Sequence, residues 1–178
     1  MVENFIQIKP ENIEDNIFKL IGTDWMLVCA GAPNNFNMMT ASWGCAGVLW
    51  RKPVVVSFIR PQRHTFAYLE NNGWFTLNFF DDEMRDVLNL CGTVSGRDMN
   101  KMEIEDITPF ETDRGNVAFA EAKLILECRK LYYDDIKPEF FQVFEIEMIY
   151  PAKDYHRLYI GEIAGVLKKR KYDSFGAF

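Results

Sequence analysis

The chain has only two histidines, His64 and His156, and four cysteines, Cys29, Cys45, Cys91 and Cys128, with no CxxC pair. That spacing provides no zinc-type ligand set, and nothing from which a disulfide framework would be built in a chain of 178 residues. The cysteines read as small core residues, and no metal is expected. Positive charge is also short, with 20 Lys and Arg against 26 Asp and Glu and a net charge of −6, which argues against general nucleic-acid binding. The one basic run, Lys168 to Lys171, reads as a solvated strand end. No apolar run approaches the roughly 20 residues that span a bilayer. The N-terminus, polar from Glu3, lacks a signal-peptide core, so a cytoplasmic protein with no membrane partner is expected. Walker, GxGxxG and GxSxG patterns are missing, which disfavours a nucleoside triphosphatase, a Rossmann domain and a hydrolase. The acidic pairs read as structural or surface groups: Asp81-Asp82 at a helix cap, Asp134-Asp135, and Glu145 with Glu147 on one strand face.

Aromatic residues, by contrast, are plentiful: 15% of the chain, including 15 Phe. Such a content fills a barrel interior, lines a pocket for a flat ligand or builds a subunit interface. The length fits one domain, residues 1–178. Patterning predicts strands at Phe5–Ile8, Trp25–Ala30, Met39–Leu49, Val54–Ile59, Trp74–Phe80, Phe119–Leu131, Phe144–Tyr150 and Arg157–Lys169, the last with bulges at Gly161 and Gly165. Met39–Leu49 and Val54–Ile59, apolar on both faces, are expected to be buried on both, in a barrel wall or under a subunit interface. Helices are predicted at Glu11–Leu20, ended by Gly22, at Thr65–Glu70, and at Asp82–Cys91 with Asp81 as cap. Many strands with a few short helices and no βαβ rhythm describe a mainly β fold, a β-barrel with helical insertions.

One stretch carries more chemistry than the rest, NNFNMMTASWGCAGVLWRKPVVVSFIRPQRHT, residues 34–65. Small and hydroxylated residues at one strand end, and guanidinium groups with a further hydroxyl at the next, suit an anionic, hydrogen-bonding ligand such as a phosphate with a flat polar head. Arg60, Arg63, Thr65, Ser95, Arg97 and Lys101 are phosphate candidates, since arginine grips phosphate bidentately and a helix start adds free amides. Solvated loop residues are the plain alternative. His156, ahead of the last strand, is either a donor to an anion that titrates near neutrality or a turn histidine bonded to backbone.

The segments NMMTASW, RPQRHT, SGRDMNK and DYHRLYIGEI, with a proline-led strand after the first, occur in this order between about Trp25 and Lys169. Together they resemble the flavin reductase-like FMN-binding proteins, in their flavoredoxin-type branch. The resemblance implies an FMN-binding split barrel working as a homodimer. It implies that Asn37, Met39, Thr40, Ala41 and Ser42 present backbone and hydroxyl groups to the flavin ring and ribityl chain. Arg63, His64, Thr65, Ser95 and Lys101 would lie near the phosphate, and His156 near the flavin. Trp43 would be pocket wall or core. The aromatic segment 135–151 would cover the ring face or the dimer seam, and the C-terminal YDSFGAF would fold over a pocket or fray.

The resemblance further implies an FMN-dependent oxidoreductase relaying electrons from NADH or NADPH to a flavin or protein acceptor. A non-enzymatic electron-transfer protein serving a redox partner is the alternative, and a barrel without flavin a third reading. The missing acid–base residues agree with cofactor chemistry, in which the flavin moves the hydride and the protein binds and tunes it. No catalytic residue is assigned.

Overall fold

A computed structural model describes residues 2–170; the C-terminal YDSFGAF and Lys171 lie outside the described residues. The described residues form ten strands: β1 (Phe5–Ile8), β2 (Met26–Ala32), β3 (Asn35–Ala41), β4 (Gly44–Leu49), β5 (Lys52–Ile59), β6 (Trp74–Phe79), β7 (Pro109–Glu111), β8 (Val117–Phe119), β9 (Leu124–Asp135) and β10 (Arg157–Lys169). Three α-helices join them: α1 (His64–Asn71), α2 (Arg85–Thr93) and α3 (Phe144–Glu147).

Eight strands make one antiparallel sheet in the order β3-β2-β6-β9-β10-β5-β4, with β1 added on β10. The two ends of that order, β3 and β4, are consecutive in the chain and separated only by Ser42 and Trp43. Laid flat, the seven strands would hold their ends roughly 29 Å apart at the usual spacing. Three Cα–Cα steps reach roughly 11 Å. The sheet therefore has to curl until its edges meet, and the seam of that barrel falls at Ser42–Trp43.

This closure corrects the single strand expected over Met39–Leu49, because the chain must leave one edge of the sheet and join the other. It also corrects the expected burial of the whole stretch. β3 is buried over most of its length, whereas every residue from Cys45 to Leu49 on β4 is exposed. Cys29, Cys91 and Cys128 are buried as expected, and Cys45 is not.

The strands alternate between two cores. From β2, Met26, Val28 and Ala30 enter a cluster with Phe75, Leu77, Leu126 and Tyr159, while Leu27 and Cys29 face a second cluster. That second cluster, with Val87, Leu88 and Cys91 of α2 and Phe119 of β8, holds α2 against the outer side of β2 and β3. The register shifts on β10 fall next to Gly161 and Gly165, where bulges were expected. At Gly161 a Cβ would lie 2.6 Å from Phe75 Cζ and 2.9 Å from Cys128 Cβ, so the close approach of β10 to its neighbours requires glycine.

Other expectations shift. The helix over Glu11–Leu20 is replaced by a 3-10 turn at Pro10–Asn12 and a π-helix at Lys19–Asp24 that runs through Gly22. Asn16 Oδ1 accepts from the backbone N–H groups of Phe18 and Lys19, starting the winding late. Ile13, Ile17 and Leu20 still meet the first core, so their spacing reports packing rather than helix. The strand drawn over Phe119–Leu131 is two, β8 and β9. Phe144–Tyr150 has no strand partner and winds into α3, which removes the shared strand face proposed for Glu145 and Glu147. Asp81 sits at its cap position without a side-chain cap bond, its carboxylate 3.4 Å from Lys123 Nζ.

One buried acid marks the far side of the sheet. Glu127 of β9, 1% exposed, accepts from Thr112 Oγ1 (2.5 Å) and Asn116 Nδ2 (3.0 Å) and pairs with Arg114 (3.0 Å), pinning the β7–β8 hairpin.

Candidate functional site

Two adjoining cavities lie at and beside the seam. The first, about 210 Å³, is lined by Met39, Thr40, Ala41, Ser42 and Trp43 with Phe58, Arg60, Arg63, Gly92 and His156. The second, about 180 Å³, takes Asn37, Met39, Arg63, His64, Thr65, Ser95 and Lys101, together with Gln62, Thr93, Val94 and Gly96. Met39 and Arg63 line both. Each alone is smaller than the usual small-molecule site of about 300–1,000 Å³; joined across Met39 and Arg63 they reach that range. All eleven residues carried over from the motifs line one cavity or the other.

The second cavity has the character of an anion seat. α1 begins at its wall with Arg63 in the N-cap position, which has no side-chain acceptor to offer the first amides. Asn37, 4% exposed, partly fills that role from β3. With its amide oxygen turned to Thr65 it accepts from Thr65 Oγ1 (2.7 Å) and the Thr65 N–H (3.2 Å). Thr65 is fully buried, so its hydroxyl is engaged inside the protein rather than offered to a ligand, contrary to the simplest form of the expectation. Thr40 is half-buried, and its Oγ1 donates to Leu88 O at 2.5 Å.

Lys101 is the unusual group. It is 3% exposed, and its ammonium donates to Met38 O (3.0 Å) and Cys91 O (2.7 Å), leaving one N–H. Burial, with Arg63 nearby adding to it, pushes the ammonium down to about 8. Arg63 donates to Gly92 O at 2.7 Å and Arg97 to Gln62 O at 2.8 Å. Among the described residues none of Arg63, Arg97 and Lys101 has a carboxylate partner, although the chain carries an excess of acid. His64 adds a buried Nδ1 with no partner, and its pKa is lowered by burial and by Arg97 and Lys101. Gly96 closes the wall: a Cβ there would strike the Asn37 amide and come within 2.8 Å of His64 Cδ2. Cations without a carboxylate partner, beside a helix start that Asn37 caps only in part, are what a phosphate would complete.

The first cavity is more open, and its Arg60 is already paired with Asp154. Trp43, 43% exposed, stands with its ring centroid 4.9 Å from that of His156, so it is pocket wall rather than core. His156 is 7% exposed, and burial, reinforced by Arg60, pushes its pKa down to about 4. It is therefore neutral at pH 7, which corrects the expectation that it titrates near neutrality. Its Nδ1 meets Tyr150 Oη at 2.9 Å, a side-chain partner rather than a backbone one.

Arg60, a phosphate candidate by sequence, is turned to Asp154 (2.6 Å) and Ile149 O (3.2 Å) and holds the 149–154 segment over the cavity rim. Sequence reasoning missed Tyr150, Asp154, Gln62 and Phe58. Arg60 and Asp154 are 94 residues apart, and nothing local announces the pair.

The fold and the cavities define a curled antiparallel barrel with a cation-lined cavity joined to a more open cleft at its seam. A family model described as flavin reductase like domain matches residues 18–174, and the chain belongs to that family. Solved structures agree on the fold, a flavin reductase-like split barrel. Flavoredoxin from Methanosarcina acetivorans is 21% identical with TM-score 0.66, over 93% of this chain and 78% of that one. An FMN-binding domain of a flavin reductases-like enzyme from Shewanella baltica OS155 is 18% identical with TM-score 0.69, over 98% and 82%. An NADH:FAD oxidoreductase from Streptomyces globisporus C-1027, in complex with NAD and FAD fragments, is 14% identical with TM-score 0.62, over 87% and 88%. No curated protein matches the chain. No helix among the described residues is long and apolar enough to cross a membrane.

Proposed function

We propose that the protein is an FMN-dependent oxidoreductase that relays electrons from NADH or NADPH through FMN to a flavin or protein acceptor, acting as one cytoplasmic domain. The observation that carries the reading is the seat of Arg63 and Lys101, neither with a carboxylate partner among the described residues, beside a cleft walled by Trp43 and His156, in a chain of this family. Arg63, His64, Ser95 and Lys101 would hold the phosphate. The backbone of Met39 to Ser42 would face the ring and ribityl chain, with Asn37 and Thr65 as fixed supports beneath. Bound there, FMN supplies hydride and single-electron transfer; the protein supplies position and electrostatics. The Streptomyces neighbour, complexed with NAD and FAD fragments, supports a nicotinamide donor.

Two features bear on partners. Among the described residues β4 pairs only with β5, and it exposes Val48 (80%) and Leu49 on an apolar edge, flanked by Phe18 (84%) and Trp50. An apolar edge of this kind calls for a cover, and a second copy of the chain is the reading taken here. Phe140, Phe144 and Met148, each about two-thirds exposed or more, lie in the segment leading to Ile149 and Tyr150 and favour a second reading, an electron-transfer protein that docks a redox partner.

The test is an absorbance spectrum of the purified protein after FMN addition and removal of free flavin, then NADH and NADPH oxidation with excess FMN. Retained flavin bands with turnover are the expected result. Retained flavin without turnover selects the electron-transfer reading, and no retained flavin, no FMN-induced melting shift and no turnover together overturn both. Light scattering reads the dimer, and Val48→Asp on β4 should yield monomer.

A further inference from the structure

The rim of the first cavity is built from contacts that converge on one hydrogen bond. Arg60 pairs with Asp154, which also accepts from Gln62 Nε2, and its guanidinium lies 5.2 Å from the centre of the Tyr150 ring. Tyr155 and Phe141 pack on the same ring at 5.0 and 6.2 Å. So held, Tyr150 is 5% exposed and sets its hydroxyl 2.9 Å from His156 Nδ1.

Either group could donate in that bond, and counting hydrogens decides between them. If Nδ1–H donated, the Tyr150 hydroxyl hydrogen would need a second acceptor, and among the described residues Oη has no other partner. If the phenol donates, both groups are satisfied. Burial keeps both neutral, raising the tyrosine and lowering the histidine. The other ring nitrogen, Nε2, has no protein partner among the described residues and is not sealed from solvent, and His156 lines the cavity.

The geometry points to Tyr150 as a positioning residue that locks His156 in its Nε2-protonated tautomer, so that the ring presents a fixed N–H donor to the cavity. The ligand group facing it must then be a hydrogen-bond acceptor, a carbonyl oxygen or a nitrogen or oxygen that gains negative charge. Naming that group as part of a flavin or its substrate rests on the proposed function; the tautomer itself does not. In this role His156 delivers no proton at neutral pH. It stabilises charge developing opposite it, as a preorganised dipole does.

The experiment is long-range 1H–15N spectroscopy of 15N-histidine-labelled, flavin-free protein at pH 7, with His64→Gln to assign the two rings. Wild type should show His156 protonated at Nε2 alone, with the Tyr150 hydroxyl proton correlated to Nδ1. Tyr150→Phe, which keeps the ring packing, should raise the Nδ1-protonated fraction at least several-fold. A wild-type ring protonated at Nδ1, or a tautomer unmoved by Tyr150→Phe, overturns the assignment. Should that variant not fold, the wild-type correlation across the bond decides: its presence supports the assignment and its absence overturns it. Because no flavin is added, this result is independent of the spectrum that tests FMN binding.

Discussion

Glu127 and Lys101 are both buried charges, and the protein treats them oppositely. Glu127 is closed on every side by Thr112, Asn116 and Arg114, a complete set of partners for a carboxylate. Lys101 has two carbonyl oxygens and no counter-ion, with Arg63 close enough to add to its burden. A buried charge left unpaired is costly unless something arrives to pair it. The first arrangement is scaffold; the second is one that the proposed phosphate would complete.

The sharpest way to break this contrast is to remove the scaffold charge. Glu127→Ala leaves the buried Thr112 and Asn116 donors without their acceptor and should cost about 2–4 kcal/mol in denaturant unfolding, with FMN affinity in the folded fraction unchanged. Lys101→Met should do the reverse. FMN binding weakens by about 1.5–3 kcal/mol, roughly ten- to a hundredfold by titration. Stability moves by less than about 1 kcal/mol, because relief of a buried cation offsets two lost carbonyl bonds. Equal losses of stability and affinity in either variant would erase the distinction.

pH sharpens it next. The Lys101 ammonium sits at about 8, below its ordinary 10.5, so between those values the unfolded chain binds more protons and the ligand-free protein gains stability as pH rises. A phosphate dianion beside it draws the proton back. FMN affinity should therefore fall up to about tenfold from pH 7 to 9, with proton uptake seen by calorimetry in buffers of different ionisation enthalpy. Lys101→Met should flatten that profile. The smallest effect is Thr112→Val, which takes one donor from Glu127 and should lower stability by about 1 kcal/mol, leaving FMN affinity and its pH profile untouched.

The contrast was only half visible in the sequence. SGRDMNK and RPQRHT announced cations near hydroxyls, and the order of motifs brought Lys101 to the seat, because loop residues carry their chemistry openly. Glu127 reads as one more polar residue in a strand, since its three partners come from a hairpin 11 to 15 residues away. β10 was legible to the residue because it alternates and its glycines mark the shifts. Lys19–Asp24 and Phe144–Glu147 were not, since Asn16 and the lack of a strand partner, both matters of context, decide their form. The break at Ser42–Trp43 was equally hidden: the apolar run continues through it, and only closure of the barrel requires the interruption.

That two-residue link joins the opposite margins of the sheet, and the cleft proposed for the ligand opens on it. Its length therefore sets the aperture of the cleft. An extra residue inserted between Ser42 and Trp43 would leave every ladder pairing of β3 with β2 and of β4 with β5 in register. It would nonetheless let the two margins part like a loosened drawstring. Surface loops generally absorb insertions at little cost. Here the chain can grow without harm to folding and still lose its grip, so at this link tolerance of the fold and tolerance of the function separate.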